Sequence, residues 1–152
     1  VVRNEQRKTL KVPNTGMVVV SDICTIDDIH PTNKQDVGLR LANLALKNHY
    51  NHFDGIVSGP LFKEINIAGK KVEVIFEHSE GLYKKGKKLE HFEIAGEDSL
   101  FYPAEARIKN DKVILTTDKV KNPKRVRYAW SNTTVANLFN SAGLPASSFI
   151  SD

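Results

Sequence analysis

From residue 61 to residue 132 the chain is written in short segments in which apolar and polar residues alternate. The segments are "LFKEINIAG", "KKVEVIFEH", "HFEIAGED", "LFYPAEARIKND", "KVILTTD" and "RVRYAWSN". A period of two is what a strand shows when one face is buried and the other is wet. Turn residues such as Ala68-Gly69-Lys70 and Lys109-Asn110-Asp111 separate the segments. Short strands at regular spacing with such punctuation predict an antiparallel sandwich or barrel. The last stretch, "TTVANLFNSAGLPASSFISD", has no clean period and is expected to run over the surface.

The first third has a different texture. Residues 1–10 have helical composition, and "KVPNTG" at 11–16 breaks the helix with a proline and a turn sequence. "MVVVSDI" at 17–23 is apolar without alternation, which predicts a strand buried on both faces. A loop over 22–31 leads to a helix from Thr32 to about Tyr50, opened by a Thr32–Gln35 capping box. Val37, Leu41, Leu44 and Ala45 repeat at helical spacing, as do Leu39, Ala42 and Leu46, giving a wide apolar surface. Helix, strand, loop and helix form the tail of an α/β unit. One strand makes no sheet, so the rest of that unit is expected outside these residues. The boundary falls near residue 54: an α/β end over 1–54, then an all-β domain over 55–152.

Hydrophobic content of 40% against 26% charged residues predicts a packed core rather than disorder. No apolar run is long enough to cross a bilayer as a helix, so no membrane partner is expected. The net charge of +4 is spread along the chain, often beside Glu or Asp. The one dense run, "YKKGKKLEH" at 83–91, is centred on Gly86 and reads as a solvated hairpin tip, so no nucleic-acid partner is expected. Cys24 is the single cysteine, which rules out an internal disulfide and fits a small core residue. The chain opens on Val1 with neither an initiator Met nor a signal sequence, and is expected to have been processed or cut.

The chemistry concentrates in "DDIHPTNKQ" at 27–35. His30 precedes Pro31, and a residue before proline is pushed into an extended conformation, off the helix that follows. A general-base histidine needs its far nitrogen held by an acceptor. Asp27, three residues before, can fold back onto it in a loop turn. Asp28, two residues before, is the alternative, or it can cap the loop backbone.

With these residues in view, "LKVPNTGMVVVSDI" and "DDIHPTNKQDVGLRLANLAL" resemble the C-terminal part of the catalytic domain in the sialate O-acetylesterase family of SGNH-type carbohydrate esterases. "FEIAGEDSLFYPAEARI" and "VKNPKRVRYAWSNTTVANLFNSAGLPASSF" resemble the end of the same proteins. The resemblance implies the close of a flavodoxin-like catalytic domain followed by a β-sandwich. It implies hydrolysis of acetyl esters on sialic acid or a related sugar by Ser-His-Asp chemistry, with no metal or other cofactor. His30 matches the family's base; for the acid, the Asp-x-x-His pattern favours Asp27 and the Asp-Ile-His string favours Asp28. The family's nucleophile block is not in this sequence, and the serines of "IVSGP" and "PASSF" (Ser58, Ser147, Ser148) do not match it. The chain alone is therefore expected to be inactive, to pair with the N-terminal catalytic half of the same protein or to self-associate, and to work in the periplasm or outside the cell.

Other residues carry weaker signals. Asn33 and Lys34 fall in the first helical turn beside His30 and either reach a sugar carboxylate or face solvent. Tyr128 and Trp130 are expected on one face of a strand, stacking on a sugar or, the favoured alternative, filling the core. His49 and His52 have metal-like spacing without a third ligand; His78 and His91 read as structural. A competing function is a glycan-binding or scaffolding β-module.

Overall fold

The computed structural model describes residues 1–28, 30 and 32–151. Helix α1 (Val2–Lys8) runs into a 3-10 turn at Thr9–Lys11, and α2 (Lys34–Ala45) runs into a wider π-type turn at Leu46–Tyr50. Ten strands follow: β1 (Leu61–Ala68), β2 (Lys71–Glu77), β3 (Tyr83–Lys84), β4 (Phe92–Ala95), β5 (Phe101–Pro103), β6 (Glu105–Lys109), β7 (Lys112–Thr116), β8 (Arg125–Tyr128), β9 (Leu138–Phe139) and β10 (Phe149–Ile150). They form antiparallel sheets in the orders β1-β2-β7-β6 and β10-β8-β4-β5, with β3 and β9 as a separate pair.

Alternation places the core. Val72, Val74 and Phe76 of β2 and Val113 and Leu115 of β7 are buried on every second position, as are Val126 and Tyr128 of β8 and Phe92 and Ile94 of β4. All belong to one apolar cluster, so the two four-stranded sheets face a shared interior as layers do in a sandwich. Turn chemistry fixes the registers. Asn110 and Asp111 both take positive φ, 48° and 56°, between the paired Lys109 and Lys112, as a two-residue hairpin turn demands.

Phe149 sits at the centre of this interior. Its ring stacks on Phe62 at 4.3 Å and meets Phe76 edge-on at 5.8 Å, with Phe92 and Tyr128 at 6.4 and 6.2 Å. Tyr128 is fully buried and its phenol oxygen accepts from the amides of Asn137 and Leu138, both at 3.1 Å. Burial pushes that phenol up to about 12, against the opposing pull of the two amides. The terminal stretch is thus no surface runner: Leu138, Phe139, Ala146, Ser147, Ser148 and Phe149 are all buried. Its strands are only two residues long, too short for a period to register, and long-range contacts bury it.

Two further expectations are corrected. The 17–23 segment is half-buried but pairs with no strand among the described residues. Apolar sequence secures burial, whereas a ladder needs a neighbour, and here the segment lies between α2 and the loops around Gly59 and Pro145. The 83–91 run is not a hairpin: β3 pairs with β9, and Leu89 bridges to Ala106.

The α1 helix closes the structure on itself. Asn4 is buried, and its side-chain oxygen accepts from the amide of Ile150 at 3.3 Å, covering the free edge of β10. Arg3 donates to the carbonyls of Ala129 and Ser131.

Phe149→Ala is expected to cost about 3–5 kcal/mol, from lost burial plus an unfilled cavity, measured by urea unfolding. A second check uses pH. The folded phenol of Tyr128 keeps its proton to about 12, whereas the unfolded one releases it near 10. The stability it contributes is complete below about pH 10 and is lost as pH rises through the folded value. Stability relative to Tyr128→Phe is expected to fall by about 2 kcal/mol between about pH 9 and pH 12.

Candidate active site

The site begins with an ion pair that the sequence reading did not single out. Arg40 of α2 donates from Nη1 to Asp22 Oδ1 at 2.8 Å and from Nη2 to Asp22 Oδ2 at 2.7 Å. The same Nη1 donates to the carbonyl of Val19 at 2.5 Å. The two side chains are only 14% and 7% exposed. Hydrogen bonding to Asp22, opposed by burial, raises the guanidinium further above its usual range, so its charge is fixed. Two parallel N–H···O bonds set orientation as well as distance. Little in the sequence marks the pair: Leu39 and Leu41, which flank Arg40, are themselves exposed.

Between Asp22 and Arg40 lies the acid–histidine loop. Asp28 Oδ1 accepts from the backbone amide of His30 at 2.7 Å and lies 3.2 Å from the ring Nδ1. A carboxylate only accepts, so Nδ1 is the protonated nitrogen in this contact. Of the two candidate carboxylates, Asp28 is the one in contact with the ring, and Asp27 makes no hydrogen bond to it among the described residues. The pair is open to solvent, with His30 79% and Asp28 57% exposed. Ile29 and Pro31 lie outside the described residues, and so does the expected effect of Pro31 on His30.

The helix start also differs from expectation. The cap is Asn33, not Thr32: its Oδ1 accepts from the Asp36 amide at 3.1 Å, and its Nδ2 donates to Asp36 Oδ2 at 2.8 Å. Asn has the stronger capping preference and stands one residue closer to the first turn. With both ends of its amide engaged, Asn33 acts here as a structural cap, while Lys34 is exposed beside it.

Asp28 lines a cavity of about 550 Å³ that also contacts Arg3, Cys24, Thr134, Ser147 and Ser148. His30 is not in its lining. Among the described residues no serine, threonine or cysteine side chain hydrogen-bonds to the His30 ring. Ser147 donates to the carbonyl of Ser148 at 3.3 Å, and Ser58 to that of Gly59 at 3.0 Å. The arrangement can hold a general base in one tautomer and present Nε2 to a proton; it holds no nucleophile against that base.

Trp130 is not on a shared face with Tyr128. Ala129 takes a positive φ of 49°, which ends β8 and swings Trp130 out of the strand, partly exposed. His49 and His52 are exposed at the end of the second helical region, and among the described residues no three His, Cys, Asp or Glu are grouped to hold a metal.

Arg40→Met would strand the Asp22 carboxylate in a largely buried position, a change that costs about 3 kcal/mol. Hydrogen exchange of the α2 amides is expected to accelerate by about a hundredfold, with β2 and β7 unchanged. Unchanged protection in α2 would show that the pair does not hold the loop.

No protein-family model matches this sequence, and no curated protein matches it. Among solved structures, the crystal structure of a carbohydrate acetylesterase from Xanthomonas citri is 43% identical to this chain, with a TM-score of 0.90. The match covers 97% of this chain and 34% of that one, so the chain spans about a third of the length of the protein it resembles. At this identity the likeness reaches beyond shared architecture and supports a carbohydrate-esterase relationship.

Proposed function

We propose that this chain is the base-bearing part of a carbohydrate O-acetylesterase of the sialate type, acting by Ser-His-Asp chemistry. The likeness of nearly the whole chain to a carbohydrate acetylesterase carries the reading. The Asp28–His30 contact supports its chemistry. Nε2 of His30 takes the proton of a serine hydroxyl as its oxygen attacks the acetyl carbon. The imidazolium returns that proton to the departing sugar oxygen. Water, activated by the same nitrogen, then frees acetate from the acyl-enzyme. Asp28 is the positioning residue that holds the tautomer.

The serine and the oxyanion-hole donors belong to an SGNH-type catalytic half outside these residues, and this chain alone is inactive. The substrate is an O-acetylated sialic acid or related sugar, met in the periplasm or outside the cell, with Lys34 beside His30 to reach its carboxylate. No metal or other cofactor takes part. The catalytic half covers the apolar side chains exposed here at Ile26, Leu39, Leu41 and Tyr50.

Acetate release from an aryl acetate tests the reading. The chain alone is expected to match its His30→Ala variant, and a polypeptide supplying the serine block is expected to bring activity. In that assembly His30→Ala or Asp28→Asn should lower kcat/KM by about a hundredfold or more, and Asp27→Asn by less than about threefold. Activity of the chain alone that disappears in His30→Ala would place a nucleophile within these residues. Alone, the chain is expected to self-associate on sedimentation, and Leu39→Lys with Leu41→Glu should return it to a monomer.

A further inference from the structure

A second cavity lies away from His30. A groove of about 820 Å³ runs beside β6, between the 84–91 loop and the Trp130–Thr134 loop. Its lining includes Lys84, Lys87, Lys88, Glu90 and His91 of the first loop and Trp130 of the second. Among the described residues none of these three lysines is in an ion pair. The acids nearby are not all free: Glu93 is held by Arg127 at 2.7 and 2.9 Å.

The lysine loop is built rather than loose. Asn137 Nδ2 donates to the carbonyls of Lys85 and Lys88 at 3.1 and 2.8 Å, and its Oδ1 accepts from the Glu90 amide at 3.2 Å. One side chain thus pins three points of the loop, and the Lys85 ammonium lies 4.0 Å over the Phe139 ring, turned aside from the other three. Across the groove the backbone is strained in two places. Ala129 and His91 take positive φ of 49° and 68°, and the Ala129 amide donates to the His91 carbonyl at 3.0 Å. Non-glycine residues adopt that conformation at a cost, and such residues cluster at ligand clamps. Here the strain turns Trp130 outward and sets His91 at the groove.

We infer that this groove is a binding site for a carboxylate-bearing oligosaccharide. The indole offers a flat apolar face to a sugar ring. The lysines meet carboxylates through charge-assisted bonds. Glu90 accepts from sugar hydroxyls, and Glu105, 3.8 Å from Arg107 of the same lining, gives the groove a mixed charge unlike the uniformly basic track that continuous phosphates require. The volume suits a ligand of a few sugar units. The inference does not depend on the esterase reading, since it concerns binding alone.

Trp130 is the only tryptophan, so its fluorescence reports the groove directly. The chain is titrated with tri-galacturonate, sialyllactose, the neutral sugar maltotriose and a single-stranded oligo-dT. A carboxylated sugar is expected to give a saturable change that weakens with salt and that maltotriose does not give. The Lys84→Ala/Lys88→Ala variant should bind about tenfold more weakly, and Trp130→Phe, followed by calorimetry, should weaken binding too. His30→Ala should bind as the parent does, so failure here and failure of the esterase reading are separate results. The inference is overturned if neither carboxylated sugar saturates, if binding survives the double lysine variant, or if oligo-dT binds more tightly than both sugars.

Discussion

The aromatic contact around Phe149 is the constraint on which the rest of the structure rests. Its ring joins Phe62 and Phe76 of one sheet to Phe92 and Tyr128 of the other. A residue three positions from the end of the chain is therefore the piece that closes the interior. Closing it also positions β10 against β8, and β10 in turn gives Asn4 a backbone amide to accept from. The first helix is held in place by the last strand, and both depend on the same ring.

The candidate site is carried on a different support. Nothing in α2 is fully buried, so the helix is not anchored by a core of its own. It is held by directional contacts: Arg40 to Asp22 and Val19, and Lys47 to the Gly55 carbonyl at 2.7 Å. Such a mount fixes orientation with little buried area. It holds the loop that carries the Asp28–His30 contact, and it leaves the apolar positions of the helix available to whatever packs against them.

Much of the sheet structure was legible because its longer strands alternate. Lys71–Glu77 and Lys112–Thr116 declare their inward faces residue by residue, and the Asn110-Asp111 turn declares the connection. Legibility failed where strands shrink to two residues, as at Leu138–Phe139 and Phe149–Ile150. It failed again at Ala129, where a non-glycine residue takes a left-handed conformation that no local sequence rule announces. At the site, the Asp28–His30 pair was in view as one of two alternatives, since spacing alone does not tell which carboxylate the loop brings to the ring. Arg40 and Asp22 were missed because they are far apart in sequence and each resembles an ordinary surface charge. The groove beside Trp130 was hidden because its lining comes from segments far apart in sequence, brought together by contacts such as the Ala129 amide on the His91 carbonyl and the Asn137 side chain on the 85–90 loop.

The bond from Ile150 to Asn4 spans 146 residues, nearly the whole chain. Ribosomes add about 5–20 residues per second. The first helix therefore leaves the ribosome roughly 7 to 30 seconds before the strand that will hold it exists. Throughout that interval the edge partner of Asn4 is missing, and the space among Phe62, Phe76, Phe92 and Tyr128, once these are made, stays unfilled until Phe149 follows. An interior assembled from strands made earlier is thus closed only by a strand made much later.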